Sequence, residues 1–493
     1  MTTHVQYLDG TVKFTRAEVG GKAYSINEMR RLGMPVPPAF VLPTAECAVY
    51  REAGDRISED AWDQITGAIA GLEAATGRTF GAGPSPLLLS VRSGAAESMP
   101  GMMDTVLNLG LNEELVDALA SGSGDEEWAQ DTWHRFVESY AIIVAGDATA
   151  RPPQDPWEQL RAAIGAVFLS WESPRAVAYR SRHGLDGLSG TAVTVQAMVF
   201  GNRDSESGTG VLFSRNPSTG EAQMTGDWLA RAQGEEVVSG SRTPETLDSF
   251  ATSHPELHRE LERIAALVEH ELHDMADIEF TVESGRLYVL QSRVGKRSPT
   301  AAVHIAVDLV REGVIDQDEA VRRLSDEHVA RLAETNSADT SAPVLARGAG
   351  IGTGVASGVA VTDVDEAEDR AMAGEDVVLV RGMTAPDDVP AMFESVAVVT
   401  ETGGPTSHAA LVCREIGLPC VVGCGAGTIA ALVGKQITVD GTSGLIYEGA
   451  ADIGTVSADA HLAEFLAYVD WPLPEGHTLA PLAHLVTTRE VGR

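Results

Sequence analysis

The 493-residue sequence predicts a multidomain protein of the α/β and α+β classes. Three observations predict it. Residues 1–297 alternate strand-like and helix-like segments. The run Glu334-Thr335-Asn336-Ser337-Ala338-Asp339-Thr340-Ser341 is short, polar and without periodicity, so it reads as a linker or hinge. From Val344 to about Ala450 there are short strands punctuated by glycines such as Gly348, Gly350, Gly352 and Gly354, the pattern of a second, compact α/β unit.

In chain order, Ala23 to Leu32, Ala61 to Ala74 and Trp157 to Trp171 read as helices. Leu87 to Arg92 and Thr191 to Phe200 are apolar and β-rich, and read as strands. Asp277 to Arg293 reads as a hairpin turning at Glu283-Ser284-Gly285. A two-residue turn would force Ser284 to positive φ, so a three-residue turn is expected. That register pairs Asp277 with Gln291 and Glu279 with Val289. It sets Asp277, Glu279 and Gln291 on one face with Arg293 at its end. A helical pair follows at Ala301 to Glu312 and Gln317 to Leu324. The expected domains are 1–297, a helical linker and hinge at 298–342, a compact domain at 343–455, and a C-terminal helix with a Pro-rich tail at 456–493.

The net charge of −35 argues against nucleic-acid and anionic-membrane partners. It leaves room for phosphate ligands, which need only a local cluster of cations. No stretch approaches the ~20 apolar residues of a membrane span, and the first residues show no basic-then-apolar signal peptide. Cys47, Cys413, Cys420 and Cys424 lack the spacing and histidine partners of a zinc site, and read as buried thiols of a cytoplasmic protein. Lysine is scarce: Lys13, Lys22, Lys296 and Lys435 are the only four among 36 basic residues. Lys22, in Gly20-Gly21-Lys22, is placed for a phosphate contact. The surroundings are not those of a Walker A loop, since residue 16 is Arg and residue 23 is Ala.

The densest chemical signal is Gly403-Gly404-Pro405-Thr406-Ser407-His408-Ala409-Ala410. Val398-Val399-Thr400 reads as a strand entering the loop, and Ala409 to Ile416 as a helix leaving it. His408 then sits beside free backbone N–H groups and the positive end of the helix dipole, an environment that suits phosphohistidine. Elsewhere, a strand delivers Arg92 into the small-residue loop Ser93 to Asp104, which includes Gly101 and leaves space for an anion. Gln196 lies near the end of an apolar strand of the kind that offers backbone groups to an adenine edge. Gly208-Thr209-Gly210 is read as a loop covering a triphosphate. Asp277, Glu279, Gln291 and Arg293 make a platform for Mg²⁺ and phosphate, because Mg²⁺ takes a few hard oxygens and shares phosphate oxygens.

Gly-Gly-x-Thr-Ser-His-Ala-Ala, continued by Cys413-Arg414-Glu415-Ile416-Gly417-Leu418-Pro419, resembles the phosphohistidine domain of the enzymes that interconvert pyruvate and phosphoenolpyruvate. The Thr-Ser-His form is similar to that of the pyruvate, phosphate dikinase family. Gly20 to Cys47, Ser90 to Gly110 with Met99-Pro100-Gly101-Met102-Met103-Asp104, Trp171 to Arg180, Thr191 to Thr243 and the 277–293 hairpin resemble its ATP-grasp domain. The resemblance implies an ATP-grasp domain followed by a swivelling β/β/α phosphohistidine domain. It implies an ATP- and phosphate-dependent phosphotransferase with His408 as the phosphoryl carrier. ATP and phosphate would contact Lys22, Arg92, Gly101, Gln196, Thr209, Asp277, Glu279, Gln291 and Arg293. Mg²⁺ would sit on Glu279 and Gln291, and Thr406 would be a regulatory phosphorylation site. Thr402 stands where the family commonly has Arg before the glycine pair. The family's C-terminal barrel for pyruvate and phosphoenolpyruvate, ~250 residues in size, has no counterpart after Trp471. The expectation is therefore that a separate barrel protein supplies the acceptor. The alternatives are transfer to a different small molecule, or a non-catalytic ATP-binding regulator.

Overall fold

The computed structural model describes residues 3–97, 99, 103–182, 184–239, 242–324, 336–338, 342–352, 354–385, 388–451, 453–455 and 459–468. Gly101, most of the 334–341 linker and the tail after Tyr468 lie outside the described residues. The chain divides into two compact units. One comprises Met1–Ser207 with Thr281–Ser292, and the other Gly208–Phe280 with Arg293–Arg493.

The first unit is built on an antiparallel sheet with the strand order Gln6–Tyr7, Ala39–Leu42, Ala192–Ala197, Leu89–Gly94, Thr105–Leu109. Its apolar residues, among them Phe40, Leu89, Val91, Val193 and Val195, pack against helices Glu59–Thr76 and Pro156–Ser170. A short helical turn from Arg16, started by the capping box of Thr15 and Glu18, precedes the helix expected at Ala23. Gly20, at φ +77, separates the two.

Two larger sheets follow in the chain. One runs Glu245–Thr246, Thr225–Ala230, Gly208–Phe213, Ala276–Glu283, Arg286–Val294. Here Trp228 stacks on Phe280 at 5.9 Å and meets Phe250 at 4.5 Å. Arg215, at the end of the central strand, is buried and binds Glu269 and Glu312. The other sheet has eight strands. Val355–Val361, Val377–Arg381, Ala397–Thr400 and Cys420–Val422 form a parallel core, flanked by antiparallel strands on both sides. Its core strands are apolar on both faces, as a covered parallel sheet demands. Val377, Leu379 and Val398 face one core, and Val378, Val380 and Val399 the other.

Two expectations are corrected. Gly208-Thr209-Gly210 is not a loop. It is the start of the buried strand Gly208–Phe213. A Cβ at Gly208 would lie 2.2 Å from the Trp228 ring, and one at Gly210 2.5 Å from Phe280, so these glycines make room for aromatic packing. The hairpin turn is also different. Its strands end at Glu283 and resume at Arg286, with Ser284 at φ +50 and Gly285 at φ +75, a two-residue turn. Ser284 is held there by its neighbours, its N–H donating to Ser207 Oγ at 2.9 Å and its hydroxyl to Asp204 Oδ2 at 2.5 Å. These bonds offset the steric cost that the turn rule alone assigns to Ser.

Candidate functional site

His408 is the first residue of the helix His408–Ile416, at the carboxyl end of the strand Ala397–Thr400. In open α/β sheets that edge is where ligands bind, since loops there are free to vary while the sheet holds them rigidly. Gly403, at φ +102, supports the sharp exit from the strand. Ser407 is the N-cap, yet its hydroxyl makes no capping bond and has no partner among the described residues. The helix N–H groups are therefore not closed off by the side chain most suited to do so.

The imidazole is half-buried. Its Nδ1 lies 3.0 Å from Thr384 Oγ1, on the loop after the neighbouring parallel strand Val377–Arg381. Burial lowers the His408 pKa below its ordinary value, and Asp388 opposes that shift. Asp388 is in turn fixed by Arg381, at 3.2 Å to each carboxylate oxygen. The ring is thus biased towards its neutral form.

The loop before the histidine rests on the other sheet of the same unit. Asp227 Oδ2 accepts the Thr406 N–H at 2.8 Å and its hydroxyl at 2.6 Å. Burial raises the Asp227 pKa to about 6, against the hydrogen bonds from Thr406 and the charge of Arg414. Arg414, on the histidine helix, is buried and donates to the Pro405 carbonyl at 3.0 Å.

The expected nucleotide residues fall into two sets. In the first unit, Gly20 and Gly21 pack directly on the loop that follows Arg92. Gly21 N–H donates to Ala95 O at 2.8 Å, and a Cβ at Gly20 would lie 2.1 Å from Gly94 O. The chain therefore brings the Lys22 and Arg92 segments into contact. Gln196 is in the adjacent strand, buried, and its amide donates to Pro37 O at 3.1 Å. The N–H groups of Ala197 and Met198 donate to Pro38 O and Leu88 O. The Gln196 amide and these two N–H groups are thus engaged within the fold.

In the second unit, Asp277 is buried and pairs with Arg293 at 2.8 Å. Gly295 N–H donates to Met275 O at 2.8 Å, so the hairpin base is not in the register that would pair Asp277 with Gln291. Burial pushes the Asp277 carboxyl up and Arg293 counters it. Asp277 Oδ1 has no partner among the described residues. Glu279 and Gln291 are partly exposed. Thr209, expected on phosphate, is buried and its hydroxyl donates to Phe280 O at 3.1 Å. Thr384 and Asp227 were not foreseen, because neither belongs to a local motif and each reaches its partner across the fold, and Asp388 was not foreseen because it acts on His408 through charge alone.

Comparison with known proteins gives two family matches. The family described as pyruvate phosphate dikinase, AMP/ATP-binding domain, matches residues 54–259, and the mobile domain of PEP-utilising enzymes matches residues 373–444. The chain is 40% identical to pyruvate, phosphate dikinase of Rhizobium meliloti (strain 1021), over 88% of this chain and 56% of that protein. Identity to the Clostridium symbiosum dikinase is 38%, over 92% of this chain and 58% of that one. For the chloroplastic dikinase of Mesembryanthemum crystallinum it is 39%, over 93% and 54% respectively. The chain spans little more than half the length of these relatives.

Proposed function

We propose, for a chain that belongs to the pyruvate, phosphate dikinase family over its nucleotide-binding and mobile domains, an ATP- and phosphate-dependent phosphotransferase that phosphorylates itself on His408. The observation that carries this is a half-buried histidine of lowered pKa, at a helix start on the carboxyl edge of a parallel sheet, with Nδ1 beside Thr384. With the Thr384 hydroxyl accepting from Nδ1–H, Nε2 keeps its lone pair for attack. Nε2 attacks the β-phosphorus of ATP, the bridge to the α-phosphate breaks, and AMP leaves. Inorganic phosphate then takes the γ-phosphoryl group as pyrophosphate, leaving phospho-His408. The His408 domain carries the group, with residues 334–341 as the pivot, to pyruvate held by a barrel supplied from outside these 493 residues.

Lys22 and Arg92 bind phosphate oxygens, and Arg293, oriented by Asp277, adds a further cation. Glu279 and Gln291 fit a Mg²⁺ site, since both are partly exposed and offer the hard oxygens this ion prefers. Bound there, Mg²⁺ would neutralise charge on the transferring phosphates. Thr406 is the proposed regulatory position and Gly101 part of the phosphate loop.

The test uses Mg²⁺, phosphate and ATP labelled separately at the β and γ positions. Acid-labile label from the β position alone, absent in His408→Ala, is the expected result. ATP binding without label at any phosphate concentration would leave the non-catalytic regulator. Label on His408 that pyruvate and a barrel module cannot discharge would point to a different small-molecule acceptor.

A further inference from the structure

The segment before His408 is seated on one buried carboxylate. Asp227, in the strand Thr225–Ala230, is 2% exposed, and Thr406 is 1% exposed. Both Thr406 donors converge on Asp227 Oδ2. The backbone around them is shaped for this approach. A Cβ at Gly404 would lie 2.7 Å from either Asp227 oxygen and 2.5 Å from Pro244, so only glycine lets the loop settle here. Arg414 reinforces the seat by holding the Pro405 carbonyl while its charge offsets that of Asp227. Asp227 falls within the nucleotide-binding match and Thr406 within the mobile-domain match, 179 residues apart. The contact therefore joins the two parts that phosphoryl transfer must bring together.

We infer that Asp227 is a positioning residue, which docks the mobile domain for histidine phosphorylation by clamping Thr406. Its carboxylate acts through Thr406 on the placement of His408 and does not touch the reacting atoms. The inference rests on His408 being the phosphoryl carrier. Release of the domain requires breaking both Thr406 bonds, together with contacts such as that of Arg414 over the Phe213 ring.

The full-length chain with Asp227→Ala, Asp227→Asn and Thr406→Val tests this with two readouts. The first is hydrogen exchange of residues 402–411 against that of the strands 208–213 and 225–230. The second is the rate of His408 labelling from β-labelled ATP, with its KM for ATP. Asp227→Ala is expected to speed loop exchange and slow labelling by about tenfold or more, the scale of a lost charge-assisted hydrogen bond, with KM unchanged. Asp227→Asn should restore both, because an amide oxygen also accepts two donors. Thr406→Val, which leaves the sheet untouched, should shift both readouts in the Ala direction. Wild-type exchange and labelling in Asp227→Ala and Thr406→Val would overturn the inference. Exchange rising equally in the two strands would show a structural role only, and would also overturn it. If the wild type takes no label, the carrier reading fails, and the exchange data still decide whether Asp227 docks the loop.

Discussion

At the scale of single residues, the proposed phosphoryl transfer turns on the protonation of one ring. The pKa of His408 is lowered by burial, so its folded value lies below the ordinary 6.5. A depressed histidine pKa means the fold favours the neutral imidazole, the form that attacks phosphorus. The rate of His408 labelling is therefore expected to rise with pH, through a midpoint below 6.5, and to be flat near neutrality. A pH–rate profile between pH 5 and 8 measures this, and a midpoint above 6.5 would contradict the assigned environment. Thr384 is the residue to alter beside it. It is the observed partner of Nδ1, and no sequence motif announces it.

At the scale of elements, the glycines separate two readings that look alike in sequence. A Gly-x-Gly with a β-rich flank suits both a phosphate-covering loop and a strand pressed by aromatic rings. The contact of Gly208 and Gly210 with Trp228 and Phe280 decides for the strand. Gly210→Ala is accordingly expected to destabilise this sheet by about 1–3 kcal/mol, the usual cost of overpacking, or more if Asp227 O cannot yield. Thermal or denaturant unfolding checks it. A stability equal to wild type would return the segment to a loop role. The hairpin carries the same lesson. Turn preference argued for three residues, yet hydrogen bonds that Ser284 donates to Asp204 and Ser207 hold it at positive φ and select the two-residue turn.

At the scale of the whole molecule, a nucleotide-binding part and a mobile part share one chain, and their proposed cooperation needs a pivot. Shortening the 334–341 segment by four residues, about half its length, is expected to leave ATP-dependent labelling of His408 intact. The same change should slow discharge of the label to pyruvate when a barrel module is supplied. Quench-flow measurement of both steps distinguishes them, and equal discharge rates would place the pivot elsewhere.

Local patterns in the sequence were sufficient for the strand–loop–helix around His408 and for the strands within Leu87 to Gly94 and Thr191 to Phe200. Each depends on neighbours within a few residues, where periodicity, glycine placement and capping act. Thr384 beside Nδ1, Asp227 under Thr406, the ion pair of Asp277 with Arg293, and Gly210 beneath Phe280 were decided only by the tertiary structure. Those contacts join residues up to 179 apart in sequence. Their hydrogen bonds and packing exist only once the sheets have formed, so no local propensity encodes them.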